Sequence, residues 1–219
     1  MTFLEFPHVS SAFQNPHEVI KNTDKILILK CTISNVFIAE CVAGIEEEVA
    51  DLLKNLPVIR LQTSNKKLYQ SLLPLFKFNY QCQQAVFSKS SEPSIKLEIL
   101  HKQDLFFAGE SYEMPEYINQ LHQRNRLFGY YEKDVLIGYV AFHIDETVGA
   151  LYVKPEFRHK GFGEKIMEAA FLLYKNSFPG KTIFAQILSD NLPSIGLHKK
   201  IGCQFSVPVY WLYNQEYTY

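Results

Sequence analysis

Arg158-His159-Lys160-Gly161-Phe162-Gly163 leads directly into apolar residues at helical spacing: Phe162, Ile166, Ala170 and Leu173. That combination makes an anion site. Glycines let backbone approach a ligand without a Cβ in the way. The first amides of a helix lack internal partners and lie at the positive end of its dipole. Three cationic side chains at the same end oppose the dipole unless an anion such as a phosphate joins them. Upstream, Gly149 to Val153 is short and apolar and is closed by Pro155, which suits a buried strand. Downstream, Asn176, Pro179 and Gly180 stop the helix.

Two further groups of residues could do chemistry. Asn191, Ser194, His198 and Gly202 are spaced 3, 4 and 4 apart, which puts the first three near one face of a helix. His143, Asp145 and Glu146 follow a long apolar run, at the entrance to the 149–153 strand. A carboxylate or imidazole there has the chemistry of a general base.

Arg158, Gly161 and Gly163, after Val153 and Pro155, resemble the Q/R-x-x-G-x-G/A acyl-CoA pyrophosphate loop of the GNAT superfamily of N-acetyltransferases. Asn191 to Gly202 is similar to the family's N-x-x-A-x-x-x-Y-x-x-x-G-F motif. Ser194 stands where alanine is usual, and His198 where a tyrosine is common. The resemblance covers about residues 96–219.

It implies acetyl-CoA, or another acyl-CoA, as cosubstrate. Its pyrophosphate is expected on the amides of the loop formed by Arg158, His159, Lys160, Gly161, Phe162, Gly163 and Glu164. Its pantetheine is expected along Leu151, Tyr152 and Val153, with the amide of Leu151 or Val153 polarising the thioester carbonyl, and with Asn191 and Ser194 nearby. A neutral primary amine of a small molecule or protein then attacks directly, without a covalent enzyme intermediate. Glu146 is the expected base. His198 is expected to protonate the departing thiolate in place of the tyrosine, or only to hydrogen-bond the thiol. A non-catalytic acyl-CoA sensor or scaffold is the competing reading, with His198 marking lost chemistry. The acceptor is not legible: Tyr112, Tyr117, Tyr130 and Tyr131 suit an acceptor cleft or simple packing.

The elements that must position these groups follow from pattern. The chain has 219 residues, 47% of them hydrophobic, which is enough for one large domain or two small ones. The breaker-rich Ser88–Ser94 stretch divides it into an expected α+β domain at 1–90 and an expected GNAT domain at 95–219. The fold class is α/β with a mixed sheet. In the first domain, Ser64-Asn65, the helix to Phe76 and the strand to Phe87 faintly echo the Asp190-Asn191 helix and its following strand. A degenerate GNAT-like repeat and an unrelated α+β domain both remain open there. The first half lacks an R-x-x-G-x-G loop and is not expected to hold CoA; specificity or homodimer formation are its candidate roles.

Element by element, residues 1–25 read as loop with a short helix near His17–Lys21. Strands are expected at 25–30, 34–42, 58–62 and 80–87, and helices at 46–56 and from 65 to about 76. In the second half a helix over 110–126, a hairpin of 127–131 with 135–144, and a parallel pair of 147–153 with 182–188 are expected. Residues 205–214 supply the last strand.

Net charge is −1, which gives no general attraction to nucleic acid or an anionic membrane. No apolar run approaches 18 residues, and no basic-then-apolar leader opens the sequence. The four cysteines, Cys31, Cys41, Cys82 and Cys203, form no Cys-x-x-Cys pair. No metal site is therefore expected, and reduced thiols in the cytoplasm are the default.

Overall fold

Val36–Cys41 is apolar at nearly every position and buried throughout, as a strand covered on both faces must be. In the computed structural model, which describes residues 3–88 and 92–214, such strands centre the first half of the chain. In order, it holds α1 (Pro7–Phe13), β1 (His17–Asn22), β2 (Ile26–Cys31), β3 (Val36–Cys41), α2 (Glu46–Lys54), β4 (Arg60–Thr63), α3 (Lys66–Leu72) and β5 (Phe78–Val86). The second half holds β6 (Glu98–Ile99), α4 (Leu105–Tyr112), α5 (Pro115–Gln123), β7 (Leu127–Glu132), β8 (Val135–Phe142), β9 (Val148–Val153), α6 (Phe162–Ser177), β10 (Phe184–Leu188), α7 (Leu192–Lys200), β11 (Gln204–Phe205) and β12 (Val209–Tyr213).

The described chain divides into two compact units. The first comprises 3–84, 187–191 and 205–214; the second comprises 85–88, 92–186 and 192–204. In the first, β1, β2 and β3 run antiparallel, and β4 joins β3 in parallel through the α2 crossover. β12 then lies between β4 and β5, antiparallel to both. The last strand, assigned from sequence to the second domain, is thus a central strand of the first unit. Its Trp211 and Val209 pack with Val36 and Cys82. A larger core of Ile26, Phe37, Val49, Leu53, Leu61, Leu68 and Leu212 fills the α2–α3 face. Asn65 caps α3, its Oδ1 accepting from the amides of Lys67 and Leu68 at 3.0 Å each. Asn65→Ala should cost about 1 kcal/mol of stability, read from the urea midpoint.

In the second unit β6, β7, β8 and β9 form an antiparallel sheet. Leu121, Leu127, Leu136, Tyr139 and Ala141 pack with α4 and α5 on one face. Phe142 meets Tyr174 of α6 edge-to-face at 5.1 Å.

Four expectations are corrected. Residues 1–25 are not mainly loop: Pro7 opens α1, whose Val9 and Ala12 are buried with Leu27, Leu29 and Ile38, and 17–22 is a strand paired with β2. The 110–126 helix is two helices, broken where Glu113 turns left-handed (φ 61) and Met114 precedes Pro115. Residues 205–214 are two strands interrupted at Pro208, which cannot donate to a ladder. The parallel pair of 147–153 with 182–188 is not made: β9 ends the four-stranded sheet and β10 belongs to the other. A bulge marks β9, which pairs with β8 along one edge. The β8–β9 register shifts between Tyr139 and Ala141, and Ala150 sits at φ 50.

Candidate active site

The turn before α6 is built by its own cations. After Val153, a single 3₁₀ turn spans Pro155–Phe157. Arg158 Nε then donates to the Val153 carbonyl at 2.9 Å, and Lys160 Nζ to the Glu156 carbonyl at 2.9 Å. The Arg158 guanidinium lies 5.2 Å from the Tyr152 ring centre. His159 (φ 60) and Gly161 (φ 80) are left-handed, and Gly161 is the N-cap of α6 without a side-chain cap bond.

The two glycines do different work. A Cβ at Gly161 would meet nothing within 4 Å, so open space lies above the cap. A Cβ at Gly163 would come within 3.1 Å of Leu197 Cδ1 and 3.8 Å of Leu151 and Val153. Gly163 therefore lets α6 pack closely on α7 and β9, and ligand approach belongs to Gly161. Arg158, His159 and Lys160 are all exposed at this end. Glu164 ties α6 to α7 through Lys200 at 2.6 Å.

Beside the turn runs β9. Among the described residues no strand pairs with its outer edge, so the backbone groups of the bulged strand on that side lack a ladder partner. The uncapped helix start and the open strand edge meet at Leu151, Val153 and Gly163. Tyr152 turns the other way, against Phe107 and Tyr139.

His198 is buried, at 2% exposure. Its Nδ1 lies 2.8 Å from the Ser194 carbonyl, which can only accept, so Nδ1 carries the proton. Nε2 is buried with no hydrogen-bond partner, and Phe171 stands edge-on to the ring at 6.0 Å. Burial pulls the pKa of the ring below 6.5, which keeps it neutral, so Nε2 offers a lone pair. The N–H that sequence reading gave to the departing thiolate is already donated to backbone. Asn191 precedes α7 instead of lying on its face, and its amide donates to Leu188 at 2.9 Å.

Glu146 is also buried, at 2% exposure, and is left-handed (φ 67). Arg126 Nη2 donates to Oε1 at 2.6 Å, Tyr174 donates to Oε2 at 3.0 Å, and Lys181 lies 3.5 Å from Oε2. The Tyr174 hydroxyl is held far above its ordinary pKa by burial and by Glu146. A base must face the acceptor; this carboxylate is enclosed by cations. Its neighbour His143 sits at the end of β8, half-buried, with Nδ1 2.7 Å from the Tyr117 hydroxyl. Sequence reading missed Arg126 and gave Tyr117 no defined role, because both partnerships are long-range.

The same element order, three antiparallel strands then helix, strand, helix and strand, occurs in both halves. At the corresponding place in the first half, β3 pairs in parallel with β4, which closes the edge. The start of α2 is met by the chain's own carboxylate: Glu46 accepts from Gly44 N at 2.8 Å, and backbone amides, its own first, hold its pKa below 4.5.

Residues 95–203 match the model of the acetyltransferase (GNAT) family. Residues 95–203 belong to the GNAT superfamily, and the chain has its fold. A Drosophila protein solved by X-ray is 16% identical and superposes with a TM-score of 0.68, covering 91% of this chain and 78% of its own. A GNAT-family acetyltransferase from Colwellia psychrerythraea is 12% identical, with a TM-score of 0.56 and coverage of 98% and 90%. A GCN5-related N-acetyltransferase from Kribbella flavida is 8% identical, with a TM-score of 0.54 and coverage of 96% and 93%. At these identities the likeness is one of fold, and it extends through both halves of the chain. No curated protein sequence matches significantly. The family supports acyl transfer in general, with an acyl-CoA as the usual cosubstrate. Among the described residues no helix is long and apolar enough to cross a membrane, and no cluster of metal-ligating side chains occurs.

Proposed function

We propose that the chain is an acetyl-CoA-dependent N-acetyltransferase acting on a primary amine. The observation that carries this reading is the uncapped, left-handed Gly161 at the start of α6, with open space above it, beside the unpaired edge of β9. The pyrophosphate sits on the amides from Gly161 to Glu164, neutralised by Arg158, His159 and Lys160. The pantetheine runs along β9, and the amide of Leu151 or Val153 stabilises the charge that develops on the thioester oxygen. Two substrates held side by side supply much of the rate. His198, beyond Ser194 on α7, serves as an acceptor through Nε2 and hydrogen-bonds the thiol, in place of the tyrosine acid. Glu146 positions the β8–β9 turn.

Calorimetry with acetyl-CoA tests the site. Wild type should bind at micromolar Kd. Gly161→Asp should weaken binding at least tenfold: aspartate is among the few residues that visit the left-handed region, at a cost of about 1–2 kcal/mol, and its carboxylate takes the place of the phosphate; circular dichroism checks that the variant is folded. Equal affinity in both proteins would place the cosubstrate elsewhere. Binding without thiol release from acetyl-CoA in the presence of glycine, lysine, spermidine or tyramine would favour the sensor reading.

A further inference from the structure

We propose that His143 is the general base of this site, taking a proton from the acceptor amine at Nε2, with Tyr117 of α5 fixing its tautomer. The inference rests on the amine-acetylation reading above. Its first support is position. A Cβ at Gly149 would fall 2.6 Å from His143 Nε2, so the ring lies directly over bare backbone of β9. That point is one residue before the bulge at Ala150, beside the strand expected to carry the thioester. A side chain at 149 would displace the imidazole, which gives this glycine a reason that a strand interior otherwise lacks.

Orientation is the second support. Tyr117 stacks on the ring at 5.7 Å with planes 6° apart, and its hydroxyl is 2.7 Å from Nδ1. If Nδ1–H donates to the tyrosine oxygen, Nε2 is left with its lone pair toward β9. The other carboxylate candidates are committed. Glu146 is enclosed by Arg126, Tyr174 and Lys181, and Asp145 accepts from the Thr147 amide and hydroxyl.

The groups facing His143 are Tyr112 from α4, Tyr117 from α5, Arg126 ahead of β7, and Asp145 in its own turn. Burial lowers its pKa most. Asp145 opposes that and Arg126 reinforces it, so the ring is neutral at pH 7.

The proton balance is closed. The ammonium R–NH3⁺ gives one proton to Nε2, and the neutral amine attacks the thioester carbon. The C–N bond forms, the C–S bond breaks, and a second nitrogen proton passes to the leaving sulfur. The amide keeps the third hydrogen. The imidazolium returns its proton to water.

The test has one readout that needs no acceptor. Long-range proton–nitrogen spectra of the full chain, assigned with His143→Gln, should show the Nδ1–H tautomer of His143 above pH 7, with Tyr117→Phe giving a mixture. An Nε2–H tautomer in wild type overturns the proposal. In turnover with the best amine among glycine, lysine, spermidine and tyramine, His143→Gln should lower kcat about 100-fold, with acetyl-CoA Kd unchanged. The decline of kcat/KM at low pH that a histidine base gives wild type should disappear. Gly149→Ala should reproduce the loss in a folded protein, and imidazole should partly rescue His143→Ala. Full activity in His143→Gln overturns the base while leaving the acetyltransferase reading intact. A wild type that binds no acetyl-CoA overturns both.

Discussion

Replacing Glu146 with alanine should lower the unfolding free energy by about 3–5 kcal/mol, the cost of breaking a buried ion pair by removing one partner. The side chain of Glu146 is 3% exposed and that of Arg126 18%, so water screens the pair little. Without the carboxylate, the Arg126 guanidinium is left, among the described residues, with the His143 carbonyl at 2.9 Å and the face of Phe178. The buried Tyr174 hydroxyl of α6 loses its acceptor as well. Lys181 is 25% exposed and can swing to water. The paired change Glu146→Leu with Arg126→Met should recover most of the loss, because it removes both charges at similar volume. Urea unfolding followed by circular dichroism measures both. A single-variant loss under about 1 kcal/mol would mean the cluster behaves like a surface pair. The same variants separate positioning from catalysis. Glu146→Gln should retain kcat within a few-fold once folded; a hundredfold loss at unchanged stability would return the base role to Glu146.

Much of this fold was legible because it is local. The 127–142 hairpin, α6 and the Arg158–Gly163 turn follow from apolar period, turn residues and glycine spacing, and they fall where expected. What sequence could not show is set by distant partners. Nothing near Glu146 announces that Arg126, Tyr174 and Lys181 converge on it. Nothing near Gly163 says that Leu197 requires it to be small. β12 reads as the natural end of the second half, yet its pairing with β4 and β5 is decided by the core it completes. The Ala150 bulge is invisible because alanine carries no turn signal, although it marks the strand whose edge stays open.

The two halves give one element order two different helix starts. In the second half the strand before the crossover helix is bulged, no strand among the described residues pairs with its outer edge, and a glycine starts the helix. In the first half the strand is paired in parallel and the helix opens on Glu46-Glu47-Glu48. A helix N-terminus favours negative charge wherever it comes from. Glu46 brings it within the chain; Gly161 starts its helix with no side-chain cap and with open space above it.

Acidification should destabilise the second unit through two histidines that it holds neutral, the half-buried His143 and the buried His198. His143 and His198 both have folded pKa values below 6.5, burial being the largest cause in each. Above pH 6.5 both rings are neutral folded and unfolded, and no penalty arises. As pH falls below 6.5 the unfolded chain takes up protons that the folded chain refuses, so stability declines until the folded pKa is passed and then levels off. The limiting slope is about 1.4 kcal/mol per pH unit for each histidine. Urea unfolding at pH 8, 6.5, 6 and 5.5 should therefore show a steepening loss in wild type. His198→Gln should remove about half of that slope, with its amide still able to donate to the Ser194 carbonyl. A slope unchanged in His198→Gln would mean that the ring already titrates freely in the folded protein. In that case His198 would carry a proton at neutral or mildly acidic pH, and its role would revert from acceptor to the acid that protonates the leaving thiolate.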